Sequence, residues 1–272
     1  MHGVRFLSLL LILVVVNSFA NGGEASLNPV AVAAERAESA PGARFTMRAI
    51  YTSPSLEQPL VAHGKGARNS RTGRSRAALS VETPQAPGRI QVESIGDGTS
   101  IYMRGSAVGT ELPADKEWVR LEPFLGHSES EAMLGGGDAD SSLQMLGSAG
   151  DVETVGTEQV RGRTTTRYRA VVDLDDYADA LREEGKDEMA DLYEKYADLA
   201  PGPIEVEAWV DSHEILRRLR MVMALPTGGP TLTMDMRMDF FDFGASPRIE
   251  LPDPASVYDA TPTLERELDA AS

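Results

Sequence analysis

Three consecutive segments decide the fold: IEVEAWVD (204–211), ILRRLRMVMAL (215–225) and TLTMDMRMDFF (231–241). Polar and apolar residues alternate through them with period two. In the first, Ile204, Val206, Ala208 and Val210 share a face. In the second, Leu219, Met221, Met223 and Leu225 oppose Arg218 and Arg220. In the third, Leu232, Met234, Met236, Met238 and Phe240 oppose Thr233, Asp235, Arg237 and Asp239. Successive side chains of a strand point to opposite faces, so each segment is a strand with one apolar face.

The same signal extends toward the N-terminus. Phe45, Met47, Ala49 and Tyr51 alternate with Thr46 and Arg48. Leu60–Ala67 and Arg76–Glu82 are weaker strands. Arg89–Ile95 and Thr99–Arg104 flank Gly96-Asp97-Gly98, a hairpin signal. Trp118–Leu121 is a short strand, and Val152–Val160 and Arg163–Leu174 flank Arg161-Gly162. About ten strands joined by hairpin-length turns predict an α+β fold with one strongly curved antiparallel sheet. Helical patterns cover Ala31–Ser39, Ala139–Ala149 and Asp175–Leu199. The last is amphipathic, with Asp173 as its cap and Pro201-Gly202-Pro203 as its stop, and Gly185 splits it in two.

Composition sets the class. The chain has 272 residues, 42% apolar and 25% charged, which excludes a disordered chain and a multi-span membrane protein. The net charge of −16 argues against nucleic acid as a partner. No cysteine is present, which removes disulfides, thiolate metal sites and a thioether-linked lipid anchor.

The start of the chain reads as an address. Arg5 precedes an apolar run over Phe6–Val16, and Ser18-Phe19-Ala20 offers small residues for a signal peptidase. An uncleaved N-terminal anchor is the competing reading, although the run is shorter than the roughly 20 residues a span needs. Both place the body outside the cytoplasm, secreted or in the cell envelope. The expected organisation is a signal peptide at 1–20, a linker and short helix at 21–42, one domain at 43–258 and a tail at 259–272.

Five of the eleven methionines fall between residues 221 and 238. Methionine is flexible and polarizable, and it adapts to variable shapes better than it specifies a rigid core. Phe45, Met47, Val206, Ala208, Met221, Met223, Met234, Met236, Met238 and Phe240 are therefore candidates for the wall of an apolar cavity. An ordinary core between sheet and helix accounts for the same residues. Tyr177, Leu181, Leu192 and Tyr196 form the apolar face of the long helical stretch, a candidate lid. Eleven acids within residues 173–198 against Arg182, Lys186 and Lys195 mark its wet face. Lys65, Arg68, Arg71, Arg74 and Arg76 form a basic island without an acid. The four arginines are candidates for anionic headgroups at a membrane surface, with a solvated hairpin as the alternative.

Motifs for chemistry are missing. His127 with Glu129 and Glu131, and His213 with Asp211 and Glu214, lack metal-ligand spacing and read as solvated turns. Gly105-Ser106-Ala107 is no nucleophile elbow, and Gly135-Gly136-Gly137 lacks the Lys-Ser/Thr of a phosphate loop. No catalytic residue, cofactor or metal is expected.

The order of segments resembles the LppX/LprG-type lipoproteins of actinobacteria, related in fold to the LolA-like lipoprotein carriers. The residues that carry the resemblance begin with Gly98-Thr99-Ser100-Ile101-Tyr102-Met103 and Trp118-Val119-Arg120-Leu121. DVETVGTEQVRG (151–162), running into Thr165-Thr166-Arg167-Tyr168, is the most specific part. Glu207-Ala208-Trp209-Val210-Asp211, Leu216-Arg217-Arg218-Leu219 and Asp242-Phe243-Gly244 complete it. The resemblance implies a half-open β-barrel around an apolar cavity, helices as a lid, and carriage of lipids or lipidated molecules without catalysis. It also admits an envelope-stress sensor that binds a protein partner such as an anti-sigma factor. The chain departs from such lipoproteins at Ala20-Asn21-Gly22-Gly23, where they carry a lipidated cysteine.

Overall fold

A computed structural model describes residues 29–82, 89–106, 112–122, 152–183, 185, 187–199, 202–225 and 230–262. The signal segment, the helical pattern at 139–149, the triple glycine at 135–137 and His127 with its glutamates lie outside the described residues.

Among the described residues, twelve strands form one unclosed sheet. They are β1 (Gly42–Thr52), β2 (Leu60–Asn69), β3 (Arg74–Glu82), β4 (Arg89–Gly96), β5 (Ile101–Gly105), β6 (Trp118–Leu121), β7 (Glu153–Val160), β8 (Arg163–Val172), β9 (Ile204–Asp211), β10 (Leu216–Leu225), β11 (Leu232–Phe241) and β12 (Val257–Asp259). The spatial order is β12-β6-β5-β4-β3-β2-β1-β11-β10-β9-β8-β7. Two meanders, β1–β6 and β7–β11, are thus joined through the β1–β11 pair, where Met47 faces Met238 and Ala49 faces Met236. Every pairing is antiparallel except β12 with β6. β12 is the strand that sequence reading does not find, since three residues are too few to show alternation. Around it, Arg120 meets Asp259 at 3.0 Å, and the Glu122 amide donates to Thr261 Oγ1 at 3.0 Å.

Among the described residues, three α-helices pack on one face. The first, α1 (Pro29–Ser39), lies over β9 and β10. Then α2 (Leu174–Glu183) and α3 (Asp187–Leu199) form a hairpin. Asp173 caps α2 as expected, its Oδ1 accepting from the Asp175 amide at 2.9 Å. Gly185 sits between the helices at φ +74, a left-handed conformation that glycine adopts without penalty.

The two faces of strands β8–β11 differ in kind. Met234, Met236, Met238, Met221, Leu219, Val206, Ala208 and Ala170 belong to the main core cluster, together with Phe45, Met47 and the helices. The opposite face is a lattice of ion pairs. Glu207 accepts from Arg167 and meets Arg169 at 3.5 Å and Arg220 at 3.3 Å. Arg220 also grips Asp235 in bidentate fashion, at 2.9 and 2.8 Å. Arg218 grips Asp239 in the same way, at 2.6 and 2.9 Å. The Trp209 indole donates to Glu158 at 2.8 Å, and Arg167 and Arg218 lie over its ring at 5.1 and 5.6 Å. Bidentate guanidinium–carboxylate pairs fix geometry, so this face pins strand register.

Candidate functional site

The candidate wall residues are gathered as alternation requires. Phe45, Met47, Val206, Ala208, Met221, Met234, Met236, Met238 and Phe240 are buried in one cluster, and Met223 is half-buried at its edge. From the helix hairpin, Tyr177, Ala178, Leu181, Ala190 and Tyr193 enter the same cluster, and the Tyr177 and Tyr193 rings meet edge-to-face at 4.7 Å. The side chains of Leu192 and Tyr196 lie outside the described residues. Tyr51 shows how apolar this face is: burial pushes its hydroxyl up to about 12. The hairpin's outer side is wet. There Arg182 joins α2 to α3 through Asp191 at 3.1 Å and Glu194 at 2.6 Å, all partly exposed.

A pocket of about 560 Å³ lies at one end of the sheet, where the β7–β8 turn, the β9–β10 turn and the end of β11 converge. Its apolar lining is Val160, Ile215, Phe240, Phe241 and Phe243. Its polar lining is Arg161, Arg163, Arg217, His213 and Asp242. Phe240 is the one residue shared with the predicted wall, and it links the pocket to the methionine cluster.

Local structure explains how the arginines come together. Arg161-Gly162 is a two-residue hairpin turn with both φ values positive, 48 and 77. Such a turn favours asparagine or aspartate at its first position. Here Arg161 takes that position and is held from three sides. Its guanidinium lies 3.9 Å from the Phe241 ring centre, donates to Thr46 Oγ1 at 2.9 Å and faces Asp239 at 3.7 Å. Arg217 is buried beside a register shift in β10. It binds Asp211 at 2.7 Å and covers the Phe243 ring at 4.9 Å. Burial would raise the Asp211 carboxyl, but Arg217 and the amides of His213 and Ile215 outweigh it and hold Asp211 below the usual range. Arg163 is exposed and has no ion pair among the described residues. All three non-glycine residues with positive φ among the described residues, Arg161, Glu214 and Asp242, lie at this end.

The arginines of the basic island differ in their surroundings. Arg68 is buried and donates to the Ala37 carbonyl in the last turn of α1 at 2.6 Å. Arg74 donates to the Ile249 carbonyl at 3.0 Å, and Arg76 pairs with Glu93. Arg71 is exposed. His213 is an exposed turn residue, its Nδ1 4.0 Å from Asp211. Alternation along the chain does not mark Arg163, Arg217, Phe241 and Phe243 as residues of one site. The signal that could have found them is the basic Arg161-Gly162-Arg163 turn in so acidic a chain.

No family model matches the chain, and no curated protein matches it. Among solved structures it is similar to the lipoprotein LppX of Mycobacterium tuberculosis, at 12% identity and a TM-score of 0.43, covering 82% of this chain and 100% of that one. It is similar to LprF of Mycobacterium bovis at 13% identity and a TM-score of 0.44, covering 85% and 99%. A LolA superfamily protein of Nitrosomonas europaea matches at 9% identity and a TM-score of 0.31, covering 85% and 96%.

Proposed function

We propose that the protein is an extracytoplasmic carrier of the cell envelope that binds a lipid or lipidated molecule and does not transform it. One observation carries this reading: a methionine-rich sheet face lies under a helix hairpin that is apolar inside, acidic outside and interrupted at Gly185. Methionine side chains can re-pack around a guest of variable shape. The ion pairs of Arg182 run between the hairpin's own two helices and join them into one unit. Native mass spectrometry of protein purified from its own host tests the reading, with co-bound lipid as the expected result. Hydrogen exchange should show residues 174–199 opening faster than β9–β11 and slowing when a lipid extract is added. Equal protection of both regions, unchanged by lipid, would sink the gated carrier. A protein partner co-purified without lipid would favour the sensor.

A further inference from the structure

We propose that the pocket at the sheet end binds the anionic head of an amphiphile, an oxyanion on an apolar chain, with Arg163 as its charge partner and Phe240 leading the chain toward the methionine face. The inference deepens the carrier reading and rests on it.

Charge comes first. The chain carries −16, yet this pocket is lined by three guanidiniums and one carboxylate. Arg217 is neutralised by Asp211, and Asp242 has Arg44 at 3.6 Å. Arg161 faces Asp239, a carboxylate already gripped by Arg218. Arg163 is left as a cation without an anion among the described residues, in a pocket that also holds three phenylalanines. A guanidinium offers planar, charge-assisted donors suited to carboxylate or phosphate.

Shape comes second. Phe240, Phe241 and Phe243 supply a wall that no small inorganic anion needs. The volume of about 560 Å³ lies in the range of sites that enclose a small organic ligand. Phe240 and Phe243 also pack on the main core, so the aromatic wall of the pocket is continuous with the methionine cluster. Strain comes third. Two lining residues, Arg161 and Asp242, hold left-handed backbone at φ 48 and 52. Backbone strain of this kind persists where surrounding contacts enforce it, and it gathers at ligand clamps.

The test titrates the full chain with a dansyl-labelled undecanoic acid and, separately, with its methyl ester. The acid should bind about ten-fold tighter, the worth of one charge-assisted hydrogen bond. Arg163→Gln should remove that preference and leave the ester unchanged, and Arg163→Glu should weaken the acid further. Arg163 is exposed, so neither variant disturbs the core. Competition by palmitate against hexadecyl phosphate then separates a fatty acid from a phospholipid source. Equal affinity for acid and ester, or a preference that survives Arg163→Gln, overturns this inference and leaves the carrier standing. Binding of neither probe overturns both.

Discussion

Strands β8–β11 present two faces built from alternate residues of the same segments, and the faces work by opposite rules. The inner face is dominated by methionine and aliphatic side chains. The outer face holds Arg167, Arg218, Arg220, Glu207, Asp235 and Asp239 in bonds of fixed geometry. Dispersion contacts tolerate rearrangement, whereas bidentate ion pairs do not. Register is thus secured from outside, which frees the inner face to use a residue that specifies packing poorly.

The comparison can be broken at several points. The largest effect is expected at the most buried ion pair of these strands, Asp211 with Arg217 at the sheet end. Asp211→Ala strands Arg217, whose side chain is 10% exposed, and frees two turn amides. A loss of roughly 3–5 kcal/mol should appear in urea unfolding. On the inner face, Met236 is 1% exposed, and Met236→Ala should cost about 2–5 kcal/mol through the cavity left behind. Met236→Leu should cost less than about 1.5 kcal/mol, because a deformable face accepts a swap of similar volume. An equally large loss from Leu would show that the face is rigidly packed.

Acid should act on one face only. Burial favours protonation of Glu207 and Asp239, but Arg167 and Arg220 around the first, and Arg218 above all at the second, hold both carboxyls below the usual range. A lowered folded value means stability present above the unfolded value of about 4 and lost as pH falls through the folded one. Thermal unfolding should therefore be flat from about pH 7 to 5 in this contribution and fall below about pH 4. Charge-neutral Glu207→Gln should reduce that acid sensitivity, while Met236→Leu leaves it unchanged. The smallest effect belongs to Arg36→Ala. Arg36 meets Glu214 at 2.6 Å with both side chains more than half exposed, so less than about 1 kcal/mol is expected.

How far the sequence reaches is visible in particular residues. Alternation at 204–241 found three strands and the inward side of Met221, Met234, Met236 and Met238, because period two is a property of the chain itself. Gly185 announced the break between α2 and α3 for a similarly local reason. The partners of the charges were beyond its reach. Arg68 and Arg74 read as a free basic island, yet they serve carbonyls at Ala37 and Ile249, 31 and 175 residues away. The sheet-end pocket was hidden too, since it assembles two turns and a strand end drawn from residues 160–243. Local spacing decides which way a side chain points. Only the long-range pairing order, β1 against β11 and β12 beside β6, decides what it meets there.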